Sequence, residues 1–296
     1  MLEFREITMA DKDWTTQVMR YAGLQGSEYT FANLFNWSAT YTVRIARFDD
    51  FMLARSGAVR MHYLYPAGRG DFAGALAAME ADAAVNGIPF EMYGIPTEGI
   101  EKIEQVYPNR FKFTPVRDNF DYIYSRESLA TLAGKKLHGK RNHINRFMTM
   151  YPDWRYEPIG EKNIDDAKAM NAEWCKQNGC YDKHSSLHRE ACAVRSAFNH
   201  YFELGLTGGA LYVDGKVVAF TFGSDVTDDT FVVHVEKAFA DIHGAYTMIN
   251  QQFVKNALGA FEYVNREDDL GEEGLRKAKE SYRPVMMYER YVAAEK

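Results

Sequence analysis

Residues 230–237, TFVVHVEK, alternate with a period of two, which sets His234 and Glu236 on one face of a strand and Val233, Val235 and Lys237 on the other. A carboxylate at Glu236 is suited to take a proton from an amine acceptor, because a dry cleft raises its pKa. Just downstream, AFADIHGAY leads into a helix, whose unpaired first-turn N–H groups offer a seat for a pyrophosphate or carboxylate. That seat would comprise Ile242, His243, Gly244, Ala245 and Tyr246, with Gly244 lacking the side chain that would hold a phosphate off. A donor laid along this strand would pass Val235 and Lys237.

The segment 263–284, YVNREDDLGEEGLRKAKESYRP, crowds charges between a short strand and a helix. Asn265, Arg266, Glu267, Asp268 and Asp269 follow directly on the strand end, while only Leu275 and Ala278 give the helix an apolar stripe. Asn265 and Arg266 stand where a donor would be held. Tyr282 is placed to protonate a leaving thiolate or hydroxyl, and Lys279, one turn earlier, to stabilise a tetrahedral oxyanion. A solvated strand-to-helix loop has the same composition.

A third group is cationic: Lys135, Lys136, Lys140, Arg141 and Arg146. At helical spacing Lys136, Lys140 and Arg141 lie close to one face and, with Asn142, could bind the anionic part of a donor or acceptor. The run GKKLHGKR nearly spells a nucleotide-binding loop, but Arg141 stands where a hydroxyl must meet Mg²⁺, and no strand precedes it. Cys175, Cys180, His184 and His188 have a spacing that resembles a zinc ligand set. Cys175 also shares an apolar face with Ala167, Met170 and Trp174, so a buried thiol serves equally and no metal is expected.

The elements that must position these groups fall into two similar halves. Residues 1–126 read as strand, helix, three short strands, an Ala-rich helix ended by Gly87, then strand, helix, strand and strand. Residues 127–296 read as a linker helix over 128–150, then a strand, two helices, a hairpin turning at Asp214-Gly215, and the strand 230–237; alternating helices and strands close the half. The sequence predicts an α/β protein with mixed central sheets.

Composition narrows the function. A chain of 296 residues, 46% hydrophobic, can bury two ordinary cores, and a net charge of −6 argues against a general nucleic-acid coat. No run approaches the ~18 apolar residues of a membrane span, and charged Glu3, Arg5 and Glu6 stand where a signal peptide needs an apolar core. Three cysteines do not make a disulfide framework. A cytoplasmic location is expected.

The hairpin VDGKVVAF, the following strand and the Gly244 turn resemble the GNAT acyltransferase fold, although Asp241 and Tyr246 depart from that family's turn signature. Taken together, KKLHGKRNHINRF, VEKAFADIHGAYTMIN, the 263–284 segment and SEYTFANLFNW resemble the family named for the C-terminal domain of phosphatidylglycerol lysyltransferase, whose members pair two GNAT-like domains as Fem-type peptidyl transferases do. The resemblance implies tandem GNAT-like domains; the second is expected to carry the cleft and the first to be degenerate, since its turn at Asp71 lacks the charge cluster of the second half. It also implies transfer of an activated acyl or aminoacyl group to a small amine or hydroxyl. Acyl-CoA is the favoured donor on composition and aminoacyl-tRNA the alternative; a ligand-binding module that has lost catalysis is the reading from another class.

Overall fold

The computed structural model describes residues 2–58, 60–182 and 185–296. In chain order the strands of the first half are β1 (Arg5–Glu6), β2 (Arg44–Phe48), β3 (Phe51–Ser56), β4 (His62–Leu64), β5 (Ala67–Gly68), β6 (Met92–Ile95), β7 (Phe111–Pro115) and β8 (Asp121–Ser125). Those of the second are β9 (Arg155–Pro158), β10 (Thr207–Val213), β11 (Lys216–Asp225), β12 (Thr230–Ala238), β13 (Tyr263–Asn265), β14 (Met286–Tyr288) and β15 (Tyr291–Glu295). The helices are α1 (Lys12–Ala22), α2 (Phe31–Tyr41), α3 (Phe72–Val85), α4 (Thr97–Val106), α5 (Arg126–Thr131) and α6 (His138–Met150). They continue with α7 (Ile164–Asn178), α8 (Ser186–Asn199), α9 (Tyr201–Leu204), α10 (Ala245–Ala257) and α11 (Glu273–Glu280).

Two mixed sheets result, one ordered β1-β2-β3-β4-β6-β15-β7 with β5 on β3, the other β14-β8-β13-β12-β11-β10-β9. The α/β class holds. Sheet membership nonetheless crosses residue 126 in both directions: β8 lies between β13 and β14, and β15 lies between β6 and β7. The last two strands, β14 and β15, therefore lie one in each sheet. Tyr122, Ile123 and Tyr124 of β8 are all fully buried, the pattern of a strand covered on both faces.

Local sequence explains where the helices begin and break. The Thr30 side chain accepts from the Asn33 N–H and starts α2, a second helix, not expected from the sequence, ahead of the three short strands. The helix expected over 128–150 is broken, because Leu132 and Gly134 take positive φ angles of 51° and 88°. Arg141 then turns back to donate to the carbonyls of Leu132 and Gly134, the latter at 2.7 Å. α8 and α9 likewise divide at His200, whose ring faces the Ser196 carbonyl at 3.1 Å.

The larger apolar cluster joins both halves, with Tyr29, Leu53 and Met79 in the same body as Trp174, Phe198 and Phe222. A second cluster packs α5, α6 and α10 onto the other side of the second sheet through Phe147, Phe253 and Leu211. The site lies where these layers meet.

Candidate active site

β12 and β13 run parallel for three residue pairs, Thr230↔Tyr263, Phe231↔Val264 and Val232↔Asn265, and then separate. β12 continues to Ala238, while the chain after Asn265 turns away through Glu267 and Leu270, both at positive φ. That turn is tied to β8 by Arg266 N–H donating to the Tyr122 carbonyl at 2.9 Å and Tyr122 N–H donating to the Glu267 carbonyl at 3.1 Å. Parting strands leave a wedge, and two side-chain pairs bridge it: His234 with Glu267 at 2.9 Å and Arg266 with Glu236 at 2.8 Å.

Glu236 has both oxygens engaged, Oε1 by Arg266 and Oε2 by Asn250 Nδ2 at 2.9 Å. Arg266 in turn keeps a buried Nη1 with no partner among the described residues. Its guanidinium lies 4.8 Å from the centre of the Tyr282 ring, and Lys140 Nζ lies 3.8 Å from the same ring. Burial, reinforced by the Arg266 cation and opposed by Glu236, pulls the Lys140 amine down to about 8. Burial also raises the Tyr282 phenol. The structure therefore brings Glu236, Arg266, Lys140 and Tyr282 together.

Other expected site residues go elsewhere. Lys279 is buried and donates to the carbonyls of Arg266, at 2.6 Å, and Asp268, so it props the turn beside the wedge. Burial pulls its pKa down as well. Lys237 pairs with Glu190 at 2.7 Å over the Trp174 ring, and the Val235 carbonyl accepts from Thr221 Oγ1. Asn265 is fully buried and donates to the Gln25 carbonyl and to Asp121, each at 2.8 Å. Arg141 caps α5, and Lys136 and Asn142 are exposed, the latter facing His138 at 3.2 Å. A cleft of about 230 Å³ opens beside them, lined by Thr131, His138, Arg141, Asn142, Asn145 and Gln251 among others.

The Gly244 turn packs against α6 on the side where a side chain would stand. Gly244 takes φ +83°, and a Cβ built there would lie 2.7 Å from the His143 carbonyl of α6. Its missing side chain admits the neighbouring helix α6. Ala245 N–H is already spent on the Ile242 carbonyl at 3.1 Å, and His143 and His243 face each other with nitrogens 3.4 Å apart. Tyr246 keeps 40% exposure at the first turn of α10. Of the Cys/His set, Cys175 and Cys180 are buried, with the Cys175 thiol pushed up to about 12 by burial and by Cys180. His188 meets the Cys180 carbonyl at 2.9 Å, and His184 lies outside the described residues.

Residues 20–294 match the family described as phosphatidylglycerol lysyltransferase, C-terminal. The chain belongs to this family. A conserved protein of unknown function from Bacteroides thetaiotaomicron, known from its crystal structure, is 43% identical over 100% of both chains, with a TM-score of 0.96. The C-terminal domain of a candidate lysylphosphatidylglycerol synthetase from Agrobacterium fabrum is 15% identical, covering 97% of this chain and 92% of that one, with a TM-score of 0.71. L-PGS from Bacillus licheniformis is 17% identical, covering 91% and 93%, with a TM-score of 0.61. An uncharacterized protein of Mycoplasmoides gallisepticum is 24% identical over 176 residues, and that match spans 58% of this chain and 55% of the relative. Among the described residues no helix is long and apolar enough to cross a membrane.

Sequence reasoning missed a buried charge cluster in this lysyltransferase-family chain. Arg290, between β14 and β15, donates to Asp121 at 2.6 Å, to Ser27 Oγ at 3.0 Å and to Glu28. Asp268 comes within 3.8 Å of the same guanidinium. Burial, aided by the neighbouring carboxylates and opposed by Arg290, raises Glu28 and Asp268 to about 7. Ser224 and Asn33 were missed too; each reaches the wedge only through pairing that no short motif encodes.

Proposed function

We propose that the chain moves an aminoacyl group from an aminoacyl-tRNA ester to a small hydroxyl or amine acceptor at the wedge between β12 and β13. What supports this reading over acyl-CoA donation is the match to the family described as phosphatidylglycerol lysyltransferase, C-terminal, together with the close packing of α6 against the Gly244 turn. The family's description supports a lysyl or related aminoacyl group. Exposed Lys135, Lys136 and Arg146 near α6 suit a phosphate backbone.

In this reading Arg266 meets the carbonyl oxygen as charge develops, since its Nη1 is buried and unpaired. Glu236, engaged on both oxygens, holds Arg266 in place; the role of base passes to Lys140, whose amine is partly uncharged near neutral pH. Turnover should then rise with pH through about 8 and level off above it, because only the free amine accepts a proton. Lys140→Gln should remove that limb of the pH–rate profile. A limb that persists in the variant would assign the base elsewhere.

Acyl-CoA remains the second reading, supported by the parting parallel strands and the helix N-terminus at Gly244. Calorimetry with CoA, alongside transfer from radiolabelled aminoacyl-tRNA to hydroxylamine, separates the two. Aminoacyl transfer without CoA binding at millimolar concentration is expected. Tight CoA binding with no aminoacyl transfer would overturn the proposal in favour of acyl-CoA.

A further inference from the structure

Ser224, His234 and Glu267 stand in a hydrogen-bonded line across three elements. Ser224 Oγ lies 2.8 Å from His234 Nε2, and His234 Nδ1 lies 2.9 Å from Glu267 Oε1. A carboxylate only accepts, so in the neutral imidazole Nδ1 carries the proton and Nε2 is left to accept from the serine. Asn33 Nδ2 of α2 donates to the same Glu267 oxygen at 3.0 Å, which fixes the carboxylate from the other half of the chain.

The backbone is arranged around this line. Glu267 takes a φ of 57°, an uncommon conformation for a residue with a side chain, and Asn265 Oδ1 accepts its N–H at 2.7 Å. Ser224 is the next-to-last residue of β11, after a register shift between Phe222 and Gly223 that breaks the regular pairing with β12. The His234 side chain is 6% exposed and that of Glu267 24%, so the imidazole is shielded while its carboxylate partner borders the wedge.

We infer that Ser224 is an acyl-accepting nucleophile, activated by His234 and oriented by Glu267, for activated esters that enter the wedge. Ser224 Oγ attacks the ester carbonyl carbon as its proton passes to His234 Nε2. Collapse breaks the bond to the leaving alkoxide, which takes that proton and departs as an alcohol, leaving an acyl-serine ester. An amine or hydroxyl acceptor then attacks the ester carbonyl, its proton moving to Nε2 and on to Ser224 Oγ as the bond to the serine breaks. Glu267 keeps the tautomer and stabilises the imidazolium without itself being protonated. The inference goes beyond the proposed transfer, since on this route His234 and not Lys140 takes the acceptor's proton, and it rests on that reading only for the natural donor.

p-Nitrophenyl acetate tests it on the full chain with no natural donor present. A burst of p-nitrophenolate stoichiometric with enzyme is expected, with the acetyl group found on the tryptic peptide that carries Ser224. Ser224→Ala should abolish burst and adduct, Ser224→Cys should restore an adduct at residue 224, and Glu267→Gln should slow acylation by about 10²–10⁴-fold. Matching thermal melts would show that the variants fold. An acetyl group placed only on other residues, or a burst unchanged in Ser224→Ala, would overturn the inference. If aminoacyl transfer to hydroxylamine proceeds at the wild-type rate in Ser224→Ala, the serine intermediate falls and the transferase reading stands. A Ser224 adduct in an enzyme that does not use aminoacyl-tRNA supports the nucleophile and removes only the donor reading.

Discussion

Replacing Arg290 with methionine is expected to destabilise the protein by about 3–5 kcal/mol, the loss typical of removing one partner from a buried ion pair. Arg290 is 8% exposed, and its guanidinium is the shared partner of Glu28 and Asp121, with Asp268 close by. Without it, three carboxyl groups at the junction of the two sheets lose their cation. The loss should depend on pH in a defined direction. Glu28 and Asp268 have ordinary values of 4.5 and 3.8 and are raised to about 7 in the fold, so the folded state holds more protons than the unfolded one between those limits. Their contribution to stability is greatest below the unfolded values and declines as pH rises through about 7. Removing Arg290 takes away the influence that holds both values down, so urea midpoints of Arg290→Met should fall further below wild type at pH 8 than at pH 6. An equal loss at both pH values would show that these carboxyl groups do not titrate as a cluster around Arg290.

The opposite sign governs Asp11 and Asp269. Arg5 draws Asp11 well below the usual carboxylate range, and at Asp269 the hydrogen bonds from Arg276 and Tyr122 outweigh the burial that opposes them. Their stabilisation is present above the unfolded carboxylate range and lost as pH falls toward their folded values. Wild-type stability should consequently be highest in mildly acidic solution, between the two regimes.

The second half of the chain was legible in its sequence because strand and turn signals there are local. Period-two alternation found β12, and Asp214-Gly215 found the β10–β11 hairpin. The exchange of β8 and β15 between sheets was not legible, since each strand sits beside partners far along the chain: β8 pairs with β13 and β14, and β15 with β6 and β7. The same distance hid the site's second half. Asn33 meets Glu267 across 234 positions and Arg290 meets Ser27 across 263, separations over which residue type predicts no contact. Lys279 shows the converse error. A lysine in a charged helix reads as free to act, yet a short helix followed by a tight turn buries its ammonium against two carbonyls of the segment it follows.

Glu236→Gln and Arg266→Lys should each lower transfer to hydroxylamine by about 10²–10³-fold, the scale of losing one preorganised donor to a developing oxyanion. The double variant should be little worse than either alone. Arg266 is held by a single carboxylate, and its planar fork is what leaves Nη1 spare while the other terminal nitrogen engages Glu236. Lysine keeps the charge but lacks the fork, so it cannot pair with Glu236 and meet a substrate oxygen in the same geometry. Glutamine at 236 presents one oxygen and one amide nitrogen to two donors, Arg266 and Asn250, so one donor must turn away. Each substitution thus disables the same unit, and effects within one unit do not add. Donor binding, measured separately, should change little in either variant, because the interaction is strongest when charge builds at the carbonyl. Losses that multiply in the double variant would mean that the two residues act independently. Full turnover in Glu236→Gln would leave Arg266 without need of its carboxylate, and the pair would then be a structural bridge across the parted strands.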